Sequence, residues 1–273
     1  MKITVLSENT ACVPGCTAEH GLSLLIEWDG CTLLMDTGAS DAFLRNADAL
    51  GCDLSRVQAV VVSHGHYDHA GGVPAFALRY PQTPVYLHRG ADSAFFSLHE
   101  DGTHFIGIDN AIPRLPQLHW TDACAEILPG AEVFSGIALP YPLFSGSGRM
   151  RVRRGCVLEQ DDFAHEQYLV IRESGRMHLF SGCAHNGILN ILSACQARYG
   201  VLPDTVFSGF HFMKRIPYTL DETRFIEQTA HTLSKYPTQY YTCHCTSPAA
   251  FSLMLPILPE QLHAVSTGSI VTL

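Results

Sequence analysis

One short run of residues limits what this chain can fold into more than any other feature. Residues 60–63 read Val-Val-Val-Ser, which is typical of a buried strand, and residues 64–69 follow at once as His-Gly-His-Tyr-Asp-His. Imidazole nitrogens and carboxylate oxygens together suit zinc, and also manganese or iron. Such a run directly after a buried strand is improbable by chance and predicts a metal site at the end of a strand.

The spacing within this run predicts how it would be used. His64 and His66 are two residues apart, so an extended segment places both imidazoles on the same side, within reach of one cation. Asp68 and His69 follow where the chain turns into the next helix and can reach a second cation. Residues 71–72 are both glycine, which permits close approach of backbone beside the site.

Composition excludes several classes of protein. The chain has 273 residues, 47% hydrophobic and 16% charged, which is typical of a compact globular protein. Its 17 Lys+Arg stand against 26 Asp+Glu, and the net charge of −9 argues against nucleic acid as a partner. Without an apolar stretch that could cross a bilayer or an evident export signal, we expect a cytoplasmic protein with no membrane partner. We expect the ten cysteines to be reduced.

Short apolar runs alternate with helical patterns and turns. We predict strands at 2–6, 23–27, 31–35, 59–63, 85–88, 168–172, 177–181, 205–208 and 239–242. We predict helices at 42–50, 73–80, 187–198, 220–235 and 248–255. This alternation indicates a layered α/β or α+β fold. Residues 91–154 show no regular pattern, and we interpret them as a lid or substrate-side insertion within a single domain that spans residues 1–273.

The run at 64–72 resembles the signature of the metallo-β-lactamase superfamily, and the resemblance extends over essentially the whole chain. Within it, the chain is similar to the group named after an archaeal dihydropterin-ribofuranosylaminobenzene 5′-phosphate synthase. The further shared motifs are Glu19-His20-Gly21-Leu22-Ser23, Glu166-Gln167, Ser181-Gly182-Cys183-Ala184-His185, Gly209-Phe210-His211 and His244-Cys245-Thr246. The resemblance implies an α+β fold, the αββα sandwich, with two mixed β-sheets flanked by helices and the site at one edge between the sheets.

The resemblance also implies the remaining metal ligands. His185 would join His64 and His66 at one cation, and His244 would join Asp68 and His69 at the other. Asp36, which ends the strand in the segment 33–38, resembles the structural aspartate that braces the metal-binding loop. We therefore expect it to accept a hydrogen bond from a ligand histidine.

Two positions leave alternatives open. Many hydrolases of the superfamily carry a bridging aspartate where this chain has Cys183, which either binds metal as a thiolate or is an inert buried side chain that leaves the bridge weaker. Asp68 and His211 are the candidate catalytic residues. His211 would bind substrate or transfer a proton, since imidazole titrates near neutral pH, unless it is a core histidine.

Substrate contacts are predicted from two places. His20 and Glu19 belong to a motif shared with the named group. Arg151 belongs to the basic segment 149–154, where alternating arginines would present guanidinium groups to a phosphate or carboxylate. The alternative for that segment is a solvated strand face.

These observations predict a binuclear metal-dependent hydrolase that acts on a small anionic metabolite through a metal-bound hydroxide. We expect two divalent metal ions, zinc before manganese or iron, and a small-molecule substrate that a phosphate would suit; a homo-oligomer is left open. One alternative is a pterin-related synthase like the archaeal namesake. Another is a sensor that keeps the fold and the metals but has lost turnover.

Overall fold

The structure is a computed structural model that describes residues 1–214 and 216–273. Its strands in chain order are β1 (Lys2–Ser7), β2 (Ser23–Trp28), β3 (Cys31–Met35), β4 (Ala59–Val62), β5 (Val85–His88), β6 (Ala94–His99), β7 (Gly102–Phe105), β8 (Leu118–Thr121), β9 (Cys124–Leu128), β10 (Ala131–Ser135), β11 (Met150–Arg154), β12 (Val157–Gln160), β13 (Gln167–Glu173), β14 (Arg176–Phe180), β15 (Thr205–Ser208), β16 (Gln239–Thr242), β17 (Leu262–Ala264) and β18 (Ile270–Thr272). Its helices are α1 (Ala42–Ala49), α2 (Tyr67–Ala70), α3 (Val73–Arg79), α4 (Ile188–Tyr199), α5 (Leu220–Leu233) and α6 (Pro248–Met254).

The first sheet has the strand order β18-β1-β2-β3-β4-β5-β8. The strands β1 to β3 pair antiparallel, whereas β3, β4, β5 and β8 run parallel. All four residues of β4 are buried because this strand lies inside the parallel part and is covered on both faces. The carboxyl end of β4, where the histidine-rich run begins, therefore lies within the sheet and not at its outer strand.

The second sheet has the order β17-β16-β15-β14-β13-β10-β9. It is mixed in the same way, with β14 to β17 parallel and β9, β10 and β13 antiparallel to their neighbours. Both β14 and β16 belong to the parallel part, so the segments that follow them leave the sheet at one edge. His185 and His244 lie on these segments.

Alternating side chains divide the core into three layers. Val61 of β4 faces the second sheet and packs in one cluster with Phe180 and Phe207. Its neighbours Val60 and Val62 face outward, against α1 and α3. The outer face of the second sheet packs against α4, α5 and α6. The order helix, sheet, sheet, helix confirms the predicted αββα sandwich with two mixed sheets.

The predicted strands and helices are all present, with ends that differ by no more than two residues. Among the described residues, no helix is long and apolar enough to cross a membrane. The longest, α5, begins with a capping box in which Thr219 and Glu222 exchange side-chain to backbone hydrogen bonds.

Residues 91–154 differ from the irregular segment expected from sequence, because they contain the six strands β6 to β11. The strand β8 joins the first sheet, and β9 and β10 join the second. The rest contributes to a third sheet of order β12-β11-β6-β7, which sequence reasoning missed. The role of this segment as a lid stays a prediction.

Candidate metal centre

The loop after β4 is held in a tightly packed position. His64 and His69 are fully buried, and His66 and Asp68 are 3% and 8% exposed. A Cβ atom at Gly65 would overlap the carbonyl oxygen of Ala91, so glycine is required there for the close approach of two backbone segments. The loop is therefore fixed by packing before any ligand binds.

Asp36 organises two of the histidine rings from below. Its carboxylate accepts hydrogen bonds from the backbone N–H of Ser63 (2.7 Å), from the Ser63 hydroxyl (2.8 Å) and from His69 Nδ1 (2.6 Å). The Ser63 hydroxyl also lies 2.8 Å from His64 Nδ1. Because both Nδ1 atoms are engaged, the Nε2 atoms of His64 and His69 are left to face the site.

The second sheet contributes two histidines, His185 and His244, to the side of the site opposite the loop after β4. His185 follows β14; its backbone N–H donates to Glu166 Oε1 at 2.8 Å, and its ring stacks on Phe163 with centroids 4.6 Å apart. His244 follows β16, and its Nδ1 lies 2.9 Å from the side-chain oxygen of Asn9. Each histidine is thus held by a contact that leaves Nε2 directed at the first sheet.

The six predicted ligands come together in two sets. In the first, His64 Nε2 lies 3.2 Å from His185 Nε2, and the ring of His66 lies 4.6 Å and 4.8 Å from their rings. In the second, His69 Nε2 lies 3.2 Å from His244 Nε2, and Asp68 Oδ2 lies 3.2 Å from the latter.

This donor set fits divalent cations. Two nitrogens bound to one tetrahedral zinc ion at about 2.0–2.1 Å lie about 3.3 Å apart, close to the 3.2 Å between the Nε2 atoms of each set. Burial and the neighbouring imidazoles hold the pKa of His64 and of His185 well below the ordinary value. Both rings are therefore neutral near pH 7, which is the form that binds a metal.

Cys183 lies between the two sets. It is 3% exposed, and its Sγ is 3.2 Å from His69 Nε2. Burial raises the pKa of the Cys183 thiol well above its usual range, and a nearby second thiol, Cys245, raises it further.

Asp161 and His165 are functional candidates that sequence reasoning missed. His165 Nδ1 accepts a hydrogen bond from the N–H of Gly65 at 2.9 Å, and its Nε2 lies 3.3 Å from Asp161 Oδ2. The same oxygen lies 3.8 Å from His66 Nε2. The available signal was the spacing of four between an aspartate and a histidine just before the motif at Glu166, although no periodicity marked that stretch.

A cavity of about 440 Å³ opens above the site. Among the residues that line it are His66, Asp68, Cys183, His185 and His244, which lie at its floor. A small molecule in the cavity can therefore reach residues of both sets, although most of the ligand side chains are buried.

His20 and His211 both reach this cavity. His20 Nε2 lies 3.3 Å from Asp68 Oδ2, and this hydrogen bond raises the pKa of His20. The ring of His211 lies 4.1 Å from that of His185, and His211 is partly exposed. Both histidines therefore lie where a substrate on the floor would meet them.

The structure places Glu19 and Arg151 elsewhere, so their predicted contact with substrate is not supported. The Glu19 carboxylate accepts hydrogen bonds from Ser7, Ala39 and Ser40 and braces the segment after Asp36. Arg151 donates to the carbonyl oxygens of residues 148 and 150 and to a glutamine on β12. Both side chains are already engaged in hydrogen bonds with neutral groups of the protein.

Other cations of the chain line the cavity in their place. Arg149 does so, and it has no hydrogen bond or ion pair with the described residues. Lys214 does so too, but its ammonium group lies 2.6 Å from both carboxylate oxygens of Glu222. Arg149 is thus the better placed of the two to meet an anion.

Comparisons with known proteins agree with this architecture. A model of the metallo-β-lactamase superfamily matches residues 16–146. The 7,8-dihydropterin-6-methyl-4-(β-D-ribofuranosyl)-aminobenzene-5′-phosphate synthase of Methanocaldococcus jannaschii is 23% identical over 272 residues, which cover 93% of this chain and 90% of that protein. An uncharacterised protein of the same organism is 26% identical over 231 residues, 77% of this chain and 79% of its own length.

Among solved structures, a metal-dependent hydrolase of the β-lactamase superfamily superposes with a TM-score of 0.84 at 29% identity, covering 100% of this chain and 99% of its own. The strand order, the buried histidine cluster and these similarities agree with one another. The chain has the metallo-β-lactamase fold, and its residues 16–146 are similar to the model of that superfamily.

Proposed function

We propose that this protein is a hydrolase that uses two divalent cations, zinc by preference, to cleave a small anionic substrate. The observation that carries the proposal is the convergence of five histidines and Asp68 in two sets beneath one open cavity, which each set reaches through two of its members. Cations held there would polarise a carbonyl or phosphoryl oxygen of the substrate and lower the pKa of a water molecule.

The protein residues have distinct tasks in this proposal. His64, His66 and His185 would hold one cation, and Asp68, His69 and His244 would hold the other. Asp36 and Ser63 keep the rings of His64 and His69 in orientation, since they bind the opposite nitrogen atoms.

The cavity wall binds the substrate and delivers protons. Arg149 provides a positive charge without a competing carboxylate among the described residues, in a protein whose net charge is −9. An anionic group of the substrate would pair with it and place the scissile bond over the floor. His211, beside His185, is positioned to give a proton to the leaving group.

A substrate screen with defined metal content tests the proposal. The full chain, stripped with a chelator and reloaded with Zn²⁺, Mn²⁺ or Fe²⁺, is assayed on phosphodiesters, lactones and thioesters. We expect turnover that depends on metal and that falls on the order of 100-fold or more in His66→Ala. The matched control is His231→Ala, which removes an exposed histidine of α5 and should leave turnover unchanged. Absence of metal-dependent turnover on every substrate, or full activity of His66→Ala, would contradict the proposal.

A synthase is the second candidate, and the similarity to the Methanocaldococcus enzyme over 93% of this chain favours it. The same metal-loaded preparation is therefore incubated with a dihydropterin diphosphate and a ribosylated aminobenzene phosphate. A coupled product in place of the products of water attack would support the synthase and exclude hydrolysis as the main reaction.

A further inference from the structure

The thiol of Cys183 is common to both sets of ligand atoms. Its Sγ, His64 and His185 offer ligand atoms that all lie within 4.8 Å of one another, and so do its Sγ, His69 and His244. These two groups of three share Cys183 alone. An atom in this place lies within reach of both cation positions.

The sequence brings this thiol to the site by means of a glycine. Cys183 follows β14 after Ser181 and Gly182, and a Cβ atom at Gly182 would overlap the Ser63 hydroxyl and lie 3.1 Å from His64 Nδ1. The missing side chain lets the end of β14 touch the loop after β4. Cys183 is consequently placed against the first sheet although it belongs to the second.

The neighbouring groups direct the thiol toward the imidazoles. His69 Nδ1 is bound by Asp36, so His69 Nε2 faces Cys183 Sγ at 3.2 Å. The nearby Cys245 is used differently: its Sγ donates to the carbonyl oxygen of Cys183 at 3.3 Å and accepts from the N–H of His211 at 3.3 Å. Cys245 also lies close to Cys183 and His211, with ligand atoms all within 4.8 Å, but among the described residues only Cys183 shares such a group with His64 and His185 and with His69 and His244.

We infer that Cys183 binds both cations as a shared thiolate, in the position between the two histidine sets. The inference rests on the proposed metal site and adds a seventh ligand to it. On binding, the S–H bond breaks, the proton leaves to the solvent buffer, and the sulfur lone pairs form bonds to the cations, without any change of oxidation state. A thiolate favours zinc over harder cations such as manganese or magnesium.

Cobalt substitution tests this inference independently of turnover. The full chain is stripped, kept under a reducing agent that does not bind metal, and titrated with Co²⁺ while bound metal is counted by mass spectrometry. Cobalt bound to a thiolate has a charge-transfer absorption in the near ultraviolet that nitrogen and oxygen ligands do not give. We expect two Co²⁺ per chain and this band in the native protein.

The variants assign the band to one sulfur. Cys183→Ser should lose it, and Cys245→Ser, the matched control, should keep it. Cys183→Asp, which restores a bridging ligand without sulfur, should bind two Co²⁺ without the band, so that loss in the serine variant cannot be attributed to misfolding.

The failures are distinguishable. Three outcomes would overturn the inference and leave the proposed function standing. The native protein could bind two Co²⁺ without the band, the band could survive in Cys183→Ser, or it could disappear in Cys245→Ser. A native protein that binds no Co²⁺ and no Zn²⁺ would overturn both.

Discussion

At the scale of single residues, the site depends on side chains that never reach the cavity floor. Asp36 is fully buried, adopts a positive φ of 58° and binds both Ser63 and His69. A left-handed backbone is unfavourable for a residue with a side chain, and it is tolerated here because three hydrogen bonds to the carboxylate fix it. The orientation of the ligand histidines is thus set by a residue that does not itself bind the cation.

Asp161 plays the corresponding part for His66. It is 2% exposed, and its Oδ2 lies between His165 and His66. Burial alone would raise the pKa of Asp161, but the hydrogen bond from His165 and the nearby imidazole of His66 hold the pKa well below the usual value. A charged Asp161, 3.8 Å from His66 Nε2, attracts that edge of the imidazole ring and so helps to orient it.

We therefore expect Asp161→Asn to lower zinc affinity by about 10- to 100-fold while the fold is retained, because the amide loses the charge that orients His66. Competition with a chromophoric chelator measures this affinity. The control is Asp162→Asn, next in sequence but exposed and paired with Arg154. Equal affinity in the native protein and in Asp161→Asn would contradict this role.

At the scale of elements, we could predict the strands and helices whose sequences show a clear pattern of buried apolar residues. The strand β4 reads as a continuous apolar run because it is covered on both faces, and α5 carries its capping box in the sequence. In contrast, β7 and β12 are exposed along their whole length, so no alternation marks them. The third sheet was missed for this reason.

The site residues likewise fall into those that a local sequence pattern predicted and those that it did not. The run from His64 to His69 is contiguous, so spacing alone indicated a metal site, whereas the contributions of His185 and His244 came from family resemblance. Arg149 could not be distinguished from Arg151 by sequence, because only the fold decides which arginine of the segment 149–154 already has partners. Asp161 acts through a contact made by tertiary packing, which no local pattern encodes.

Glu222, in the first turn of α5, contacts Lys214, a residue that lines the cavity. Its carboxylate binds Lys214, the N–H of Thr219 and the hydroxyl of Ser145, which lies near Arg149. Burial would raise the pKa of Glu222, but the ion pair with Lys214 and these hydrogen bonds lower it to about 2 from 4.5. The stabilisation is fully present above the unfolded value and is lost as pH falls toward 2.

Glu222→Gln should therefore lower the free energy of unfolding at pH 7 by on the order of 1–3 kcal/mol, since the bonds lost involve charged groups. The difference from the native protein should shrink as pH falls from about 5 toward 3. Urea denaturation at several pH values measures both, with Glu227→Gln on the same helix as control. A difference that is independent of pH would exclude the ion pair as its cause.

At the scale of the whole molecule, the ligands come from both sheets. His64, His66, Asp68 and His69 follow a strand of the first, and His185 and His244 follow strands of the second. A bound cation would connect the two layers at their edge, in addition to the apolar contacts between them. Binding should consequently stabilise the complete sandwich and not one loop.

We expect a chelator to lower the melting temperature of zinc-loaded protein. A single cation at 100 times its Kd contributes about 2.7 kcal/mol, which corresponds to about 5–10 °C in a chain of this size. Differential scanning calorimetry measures the shift. The variant His66→Ala/His69→Ala serves as the control and should show little response to the chelator. An unchanged melting temperature in the native protein would mean that no cation links the sheets.

The third sheet contributes residues that line the cavity, whereas the proposed metal ligands follow strands of the other two sheets. Its strands β6 and β11 place Ser97, His99 and Met150 over the cavity, and the turns that join them to β7 and β12 are exposed. None of the six histidine and aspartate ligands lies on it. Under the proposed function, a change in the length or sequence of those hairpins would alter which substrate the cavity accepts and would leave the six proposed metal ligands in place.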